Sequence, residues 1–434
     1  MIQYDVVFVG NSHATWSAAV TLRRAGKSVA MLSSATYQSQ LEDELLPTTS
    51  AQSWSDFQSH KQQLSRDLTT KMTTLFEHHD IQFIQGTGIL MGPHMLRIGR
   101  QVITAKQIIL NTGQHATLPK VTGQEFLHNR HDLLNLDQLP DHLTIIGAGP
   151  RALELASLVN QFGTRVTILT QANRAAQSLD PRYVTKLLVT LQNRGIDVRF
   201  RETVTCIEPN ANAYRVSTNS GLTIATDYVL AETSYRPNVD LMGLENAGIH
   251  TNAHGIIVDA YLRANGQNVF ACGTVTAQST IDSPATTTFE ATYIAEQILG
   301  NSAAISYPVT PHILFTQPRI ARVGLSAAQA AGDLNYHTVR IPYGQQLNLP
   351  DQADQAAEMT VVLNKENQLV GADIYGMAAP NLVNAMALMI NQQLGAGDLT
   401  TMIFTLPTPI QNIVALLTPA LTAPTTTLAS SVAM

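Results

Sequence analysis

Apolar residues follow two rhythms along this chain. Short continuous runs, Val6-Val7-Phe8-Val9 and Leu143-Thr144-Ile145-Ile146, each end on a glycine, Gly10 and Gly147. Such runs, closed by a turn residue, predict strands buried on both faces, as in a parallel sheet. Each is followed by helical spacing and a second short strand. The first set reads as a strand at 4–9, a helix at 14–26 closed by Gly26 and a strand at 28–32; the second runs from Leu143 through a helix at 151–162, stopped by Gly163, to a strand at 165–169. Two βαβ starts are therefore predicted. Over 53–79 the residues Trp54, Phe57, Leu64, Leu68, Met72 and Phe76 recur at three- and four-residue spacings, predicting a long amphipathic helix with its aromatic stripe in the core. From 311 the rhythm changes to strands at 337–341, 360–363 and 369–375 with an apolar helix at 380–394, an α+β arrangement. Residues 418–434 have no periodicity and predict a disordered tail.

Composition narrows the classes. A chain of 434 residues with 44% hydrophobic residues can build several cores. Its net charge is −6 and no basic run exceeds Arg23-Arg24, so the footprint of nucleic-acid binding is missing. No apolar run approaches the roughly 18 residues needed to span a bilayer, and the first residues run directly into a strand, so a cytoplasmic protein without membrane contact is expected. The two cysteines, Cys206 and Cys272, form no motif, and the latter reads as an inert core thiol. The 13 histidines show no metal-ligand spacing, and no metal site is expected.

The chemistry lies in the turns. Gly147-x-Gly149-x-x-Ala152 follows a strand and opens a helix, so bare backbone amides can approach a pyrophosphate at the positive helix end. Together with Gly10, the strand Ile108–Leu110 leading to Asn111-Thr112-Gly113, the stretch Val269-Phe270-Ala271-Cys272-Gly273-Thr274-Val275 and the later Phe315–Gly324, it forms an ordered series. In that order these stretches resemble the pyridine nucleotide-disulfide oxidoreductases, over roughly residues 1–417, and most closely the branch that reduces hypothiocyanous acid or resists reactive chlorine. The resemblance implies an α/β fold: two Rossmann-like dinucleotide-binding domains and a C-terminal α+β dimerisation domain. It places an FAD-type domain at 1–120 and 235–310, an NAD(P)-type domain at 121–234 and the dimerisation domain at 311–417, and it implies FAD, NAD(P)H and a homodimer.

Against that pattern the reactive residues are replaced. The family's cysteine pair and following lysine fall on Gln40, Leu45 and Thr49, with Pro47 anchoring the match. Disulfide reduction needs one thiolate to face the flavin and another to attack substrate, and neither Gln nor Leu can do this. The C-terminal histidine and glutamate that move a proton fall on Leu406 and Gln411. The glutamate that would pair with the missing lysine is Glu154, expected to find a solvent or backbone partner. In the flavin turn two glycines become Ser12 and Thr15, the ribose carboxylate becomes Ser33, and the Asp after Gly273 becomes Thr274. Losing two charge-assisted hydrogen bonds at about 1.5–3 kcal/mol each is on the order of 10² to 10⁴ in affinity. In the second turn the ribose-binding acid is Thr170, so NAD and NADP are not distinguished. The expectation is a family member without the redox disulfide, passing electrons to a small acceptor independently of thiols; the alternative is a catalytically inactive dinucleotide-binding sensor or partner subunit.

Overall fold

The computed structural model describes residues 2–33, 51–211, 213–264, 266, 268–278, 283–344, 354–405 and 408–422. Gln40, Leu45, Thr49 and Leu406 lie outside them. The chain divides into two compact units, one of residues 1–119, 131–138 and 233–306, the other of residues 120–130, 139–232 and 307–434.

In the first unit a seven-stranded sheet runs in the order Gln82–Gln85, Val29–Ser33, Ile2–Val9, Gln101–Leu110, Met95–Ile98, Gly88–Gly92, and Val269–Ala271 pairs with the far end of Gln101–Leu110. The strands that meet at the glycine turns are parallel, with Val9 opposite Leu32 and Leu110. Val6, Val7 and Phe8 are fully buried, as expected of strands covered on both faces. The helix Trp54–His78 buries Trp54, Phe57, Met72 and Phe76. Near its start the Trp54 indole N–H donates to the Leu136 carbonyl at 2.8 Å, and the Gln58 amide donates to the Leu134 and Leu136 carbonyls at 2.9 and 3.0 Å. These bonds hold residues 131–138 in the first unit.

The second unit holds a parallel sheet in the order Ile196–Phe200, Arg165–Thr170, His142–Ile146, Tyr228–Ala231, covered by a three-stranded antiparallel sheet. It also holds a five-stranded antiparallel sheet in the order His312–Leu314, Ile320–Gly324, Leu369–Tyr375, Glu358–Asn364, Tyr336–Ile341. The helix Ala379–Asn391 packs on this sheet through Leu382, Val383 and Met386.

One expectation is corrected. Residues 418–422, expected to open a disordered tail, are helical instead, because the helix Pro409–Thr422 continues through them despite Pro419. Leu417, Ala420 and Leu421 are 0, 8 and 5% exposed, an i, i+3, i+4 stripe that buries enough apolar surface to offset the hydrogen bond lost at proline.

Candidate functional site

The strand His142–Ile146 delivers the chain to Gly147, which turns it at φ +113° while its N–H donates to the Leu169 carbonyl at 2.8 Å. Only glycine adopts this backbone without strain. Gly149 then caps the helix Pro150–Gln161 with no side-chain cap hydrogen bond among the described residues. A Cβ added to Gly149 would meet no described atom within 4 Å. Protein packing therefore does not require this glycine, but close approach of a phosphate would. Ala152, the third position of the motif, is fully buried where helix meets strand. The loop after Thr170 folds back on the turn through an Ala176 N–H to Ala148 carbonyl bond of 2.9 Å. Glu154 is 8% exposed and accepts the Phe315 N–H at 2.9 Å, so its carboxylate has a backbone partner.

The turn at Gly10 is built differently. Gly10 has φ +109°, and a Cβ there would lie 2.0 Å from the Asn111 carbonyl oxygen, so this glycine serves the protein's own packing. A 3₁₀ turn, His13–Thr15, precedes the helix Trp16–Arg24, which starts later than the expected residue 14. Ser12 supplies this turn's acceptors: its hydroxyl takes the Ala14 N–H at 3.4 Å, and its carbonyl takes the Thr15 N–H at 2.8 Å and the Thr15 hydroxyl at 2.7 Å. The Ala14 and Thr15 amides are thus bonded within the turn. Ser33 is buried at the end of its strand and offers no charge.

Around the remaining flavin-type positions the framework is tightly bonded. Thr112 and Asn238 exchange two hydrogen bonds of 2.8 Å, Thr112 hydroxyl to Asn238 carbonyl and Asn238 amide to Thr112 carbonyl. The Asn238 N–H also donates to the Gly113 carbonyl at 2.9 Å. Gly273, at φ +74°, leaves no room for a Cβ against Asn111 and Thr287, and its N–H donates to the buried Glu290 carboxylate at 2.7 Å. Thr274 follows in a 3₁₀ turn, half-buried. Cys272 is fully buried, and desolvation, with the nearby Glu290 carboxylate adding to it, pushes its thiol well above the usual range. Its thiolate is therefore suppressed. Glu290 escaped sequence reasoning as a site-shaping residue; the visible signal was a buried-position acid within the helix Pro284–Ile298.

At the C-terminal position Gln411 opens the helix Pro409–Thr422, its N–H donating to the Thr408 hydroxyl at 3.3 Å. Its side-chain oxygen is buried without a hydrogen-bond partner among the described residues. Sequence and structure thus bring Gly147, Gly149, Ala152, Glu154 and Thr170 into one unit, and Gly10, Ser12, Ser33, Thr112, Gly113, Gly273 and Thr274 into the other.

Residues 4–297 match the family model described as pyridine nucleotide-disulphide oxidoreductase, and residues 310–416 match the dimerisation domain of the same family. The chain belongs to this family. It is 28% identical over 349 residues to a glutathione reductase of Burkholderia cepacia, covering 79% of this chain and 77% of that protein. To the probable pyridine nucleotide-disulfide oxidoreductase RclA of Escherichia coli (strain K12) it is 27% identical over 448 residues, covering 95% and 98%. The solved HOCl-induced flavoprotein disulfide reductase RclA from Escherichia coli superposes with a TM-score of 0.85 at 23% identity, over 95% of this chain and 99% of that one, which is a likeness of fold.

Members of this family are FAD-dependent and use NAD(P)H. At 147–152 a glycine turn joins the strand His142–Ile146 to a helix end that carries no side-chain cap among the described residues. In the turn at 10–15 the Ala14 and Thr15 amides are bonded to Ser12, and positions 33 and 274 carry no carboxylate.

Proposed function

We propose that this chain is a dinucleotide-binding member of its family, a sensor or partner subunit that holds NAD(P)H at the 147–152 turn and performs no thiol–disulfide exchange. The contrast between the two turns carries this reading: Gly149 faces open space at a helix end without a side-chain cap, whereas Gly10 is packed on Asn111 and the amides after it are bonded to Ser12. NAD(P)H, when bound, supplies a hydride. The chain's own contribution is to bind and orient it through backbone amides at the helix end.

A second reading, electron transfer from NAD(P)H through flavin to a small acceptor without a dithiol, draws support from the ordered Asn238 clamp on Thr112 and Gly113. The absorbance spectrum of the purified protein separates them. A colourless or substoichiometrically yellow protein that binds NAD(P)H fits the first; one FAD per chain with no affinity for either nucleotide overturns it.

With NAD(P)H the protein should not turn over glutathione disulfide, lipoamide, a dithionitrobenzoate-type reagent or hypothiocyanous acid. The double variant Gln40→Cys, Leu45→Cys should fail as well, because Thr49 and Leu406 still lack the lysine and the proton donor and such steps are coupled. Turnover by that variant at the rate of an ordinary family member would overturn this account.

The C-terminal domain should pair two chains. Leu388 and Ile403 are 60 and 100% exposed, apolar surface that a two-fold interface would cover. Light scattering at micromolar concentration should give twice the chain mass; a monomer refutes the dimer.

A further inference from the structure

The five-stranded sheet of the second unit is occupied on both faces. Side chains alternate along a strand, so residues two apart share a face and immediate neighbours do not. Ala321, Val323 and Ala372 share a core with Leu382, Val383 and Met386 of the helix Ala379–Asn391, and Leu388 of the same helix is exposed. Arg322, Asp373 and Thr360 stand in register on the opposite face. That face receives the helix Pro181–Asn193. The Tyr183 and Thr360 hydroxyls share a hydrogen bond of 2.8 Å, Tyr183 stacks on Tyr375 with ring centroids 5.9 Å apart, and Lys186 pairs with Glu358 at 2.9 Å. Tyr183 is fully buried there.

The same face is tied to the glycine turn. The Arg322 guanidinium donates to the Ser178 carbonyl, and two residues earlier the Ala176 N–H donates to the Ala148 carbonyl inside the turn at 2.9 Å. Between these two bonds the Leu179 N–H closes on the Ala176 carbonyl at 2.9 Å. Ala176 itself is buried at φ +40°, a left-handed backbone that strains any residue with a side chain. Such a conformation persists only where its surroundings over-determine it. Here Ala148 holds it from one side and Arg322, through Ser178, from the other. A further tie runs from the helix that Gly149 opens, because Glu154 accepts the Phe315 N–H next to the edge strand His312–Leu314.

We propose that nucleotide binding and chain pairing are coupled through this sheet, with Arg322 as a positioning residue for the 147–152 turn. This rests on the nucleotide reading of that turn and on pairing through the C-terminal domain. A ligand on the turn orders the 171–179 loop and, through Ser178, the Arg322 strand whose other face carries the helix of Leu388. What one event has ordered the other need not order again, so each favours the other. Subunit exchange between donor- and acceptor-labelled full chains, read by energy transfer in urea below the unfolding transition, tests it at saturating NADPH, at saturating NADH and with neither. A nucleotide that calorimetry shows to bind should slow exchange at least about fivefold. Arg322→Met, made in the Asp373→Asn background so that no buried carboxylate loses its cation, should bring that factor to about one. Ala176→Gly should lower the factor as well while relieving the backbone, with the thermal midpoint unchanged or raised; if Arg322→Met fails to fold, this variant decides by the same measurement. Exchange that a bound nucleotide leaves unchanged, or a factor that survives the deciding variant, overturns this proposal alone. Binding of neither nucleotide overturns the nucleotide reading, and a monomer overturns the pairing, each taking this proposal with it.

Discussion

Gly149→Val should abolish measurable NADPH binding, a loss of at least about 100-fold in affinity, while the protein stays folded. Gly149 sits at φ −70° and ψ 173°, a conformation open to valine, and the added carbons enter space where no described atom lies within 4 Å of the first of them. The cost to the fold is that of a poorer helix cap, about 1 kcal/mol or less. The cost to a ligand is steric exclusion of the pyrophosphate from the helix end. Gly10→Ala should behave in the opposite way. At φ +109°, with the new carbon 2.0 Å from the Asn111 carbonyl oxygen, strain and overpacking together cost about 2–6 kcal/mol whether or not any ligand is present. Calorimetry and thermal melting on both variants would separate a glycine kept for a ligand from one kept for the chain. Retention of NADPH affinity by Gly149→Val would refute the placement of the site.

Much of the architecture was legible because buried parallel strands and glycine turns leave strong local signals. Leu369–Tyr375 falls where alternation placed it, and the long helix at Trp54 falls within a residue of its expected ends. The C-terminal boundary was not legible, because Thr, Ala and Pro dilute the stripe of Leu417, Ala420 and Leu421 that only tertiary packing makes decisive. The glycine turn at Gly10 shows the limit of motif reading. Ser12 and Thr15 announced added bulk, but the sequence did not reveal that the chain would answer by forming a 3₁₀ turn and bonding its amides to Ser12. Losses of chemistry are visible as missing residue types. Gains arise from backbone geometry and have to be seen in the fold.

Asp373→Asn should stabilise the protein at neutral pH and lose that advantage in acid. Asp373 lies on the strand Leu369–Tyr375 between Arg322 and Thr360 and is 1% exposed. One carboxylate oxygen accepts the Ala327 N–H at 3.4 Å; the other has no hydrogen-bond partner among the described residues. Burial pushes its carboxyl from 3.8 up to about 6, with the Ala327 N–H and Arg322 opposing and Asp180 adding to the rise. An acid whose folded value lies above its unfolded one keeps its proton longer in the native state, so stability falls as pH rises from about 4 to about 6 and the full cost persists above. That cost is at most about 3 kcal/mol. Asparagine removes the charge but keeps an acceptor for Ala327, and Arg322 retains its bonds to the Ser178 carbonyl and to Gln329. Urea midpoints at pH 7.5 should therefore rise in Asp373→Asn, and at pH 4 the variant and the parent should coincide. A variant less stable than the parent at pH 7.5 would show that attraction to Arg322 outweighs burial and that the carboxylate is a stabilising charge.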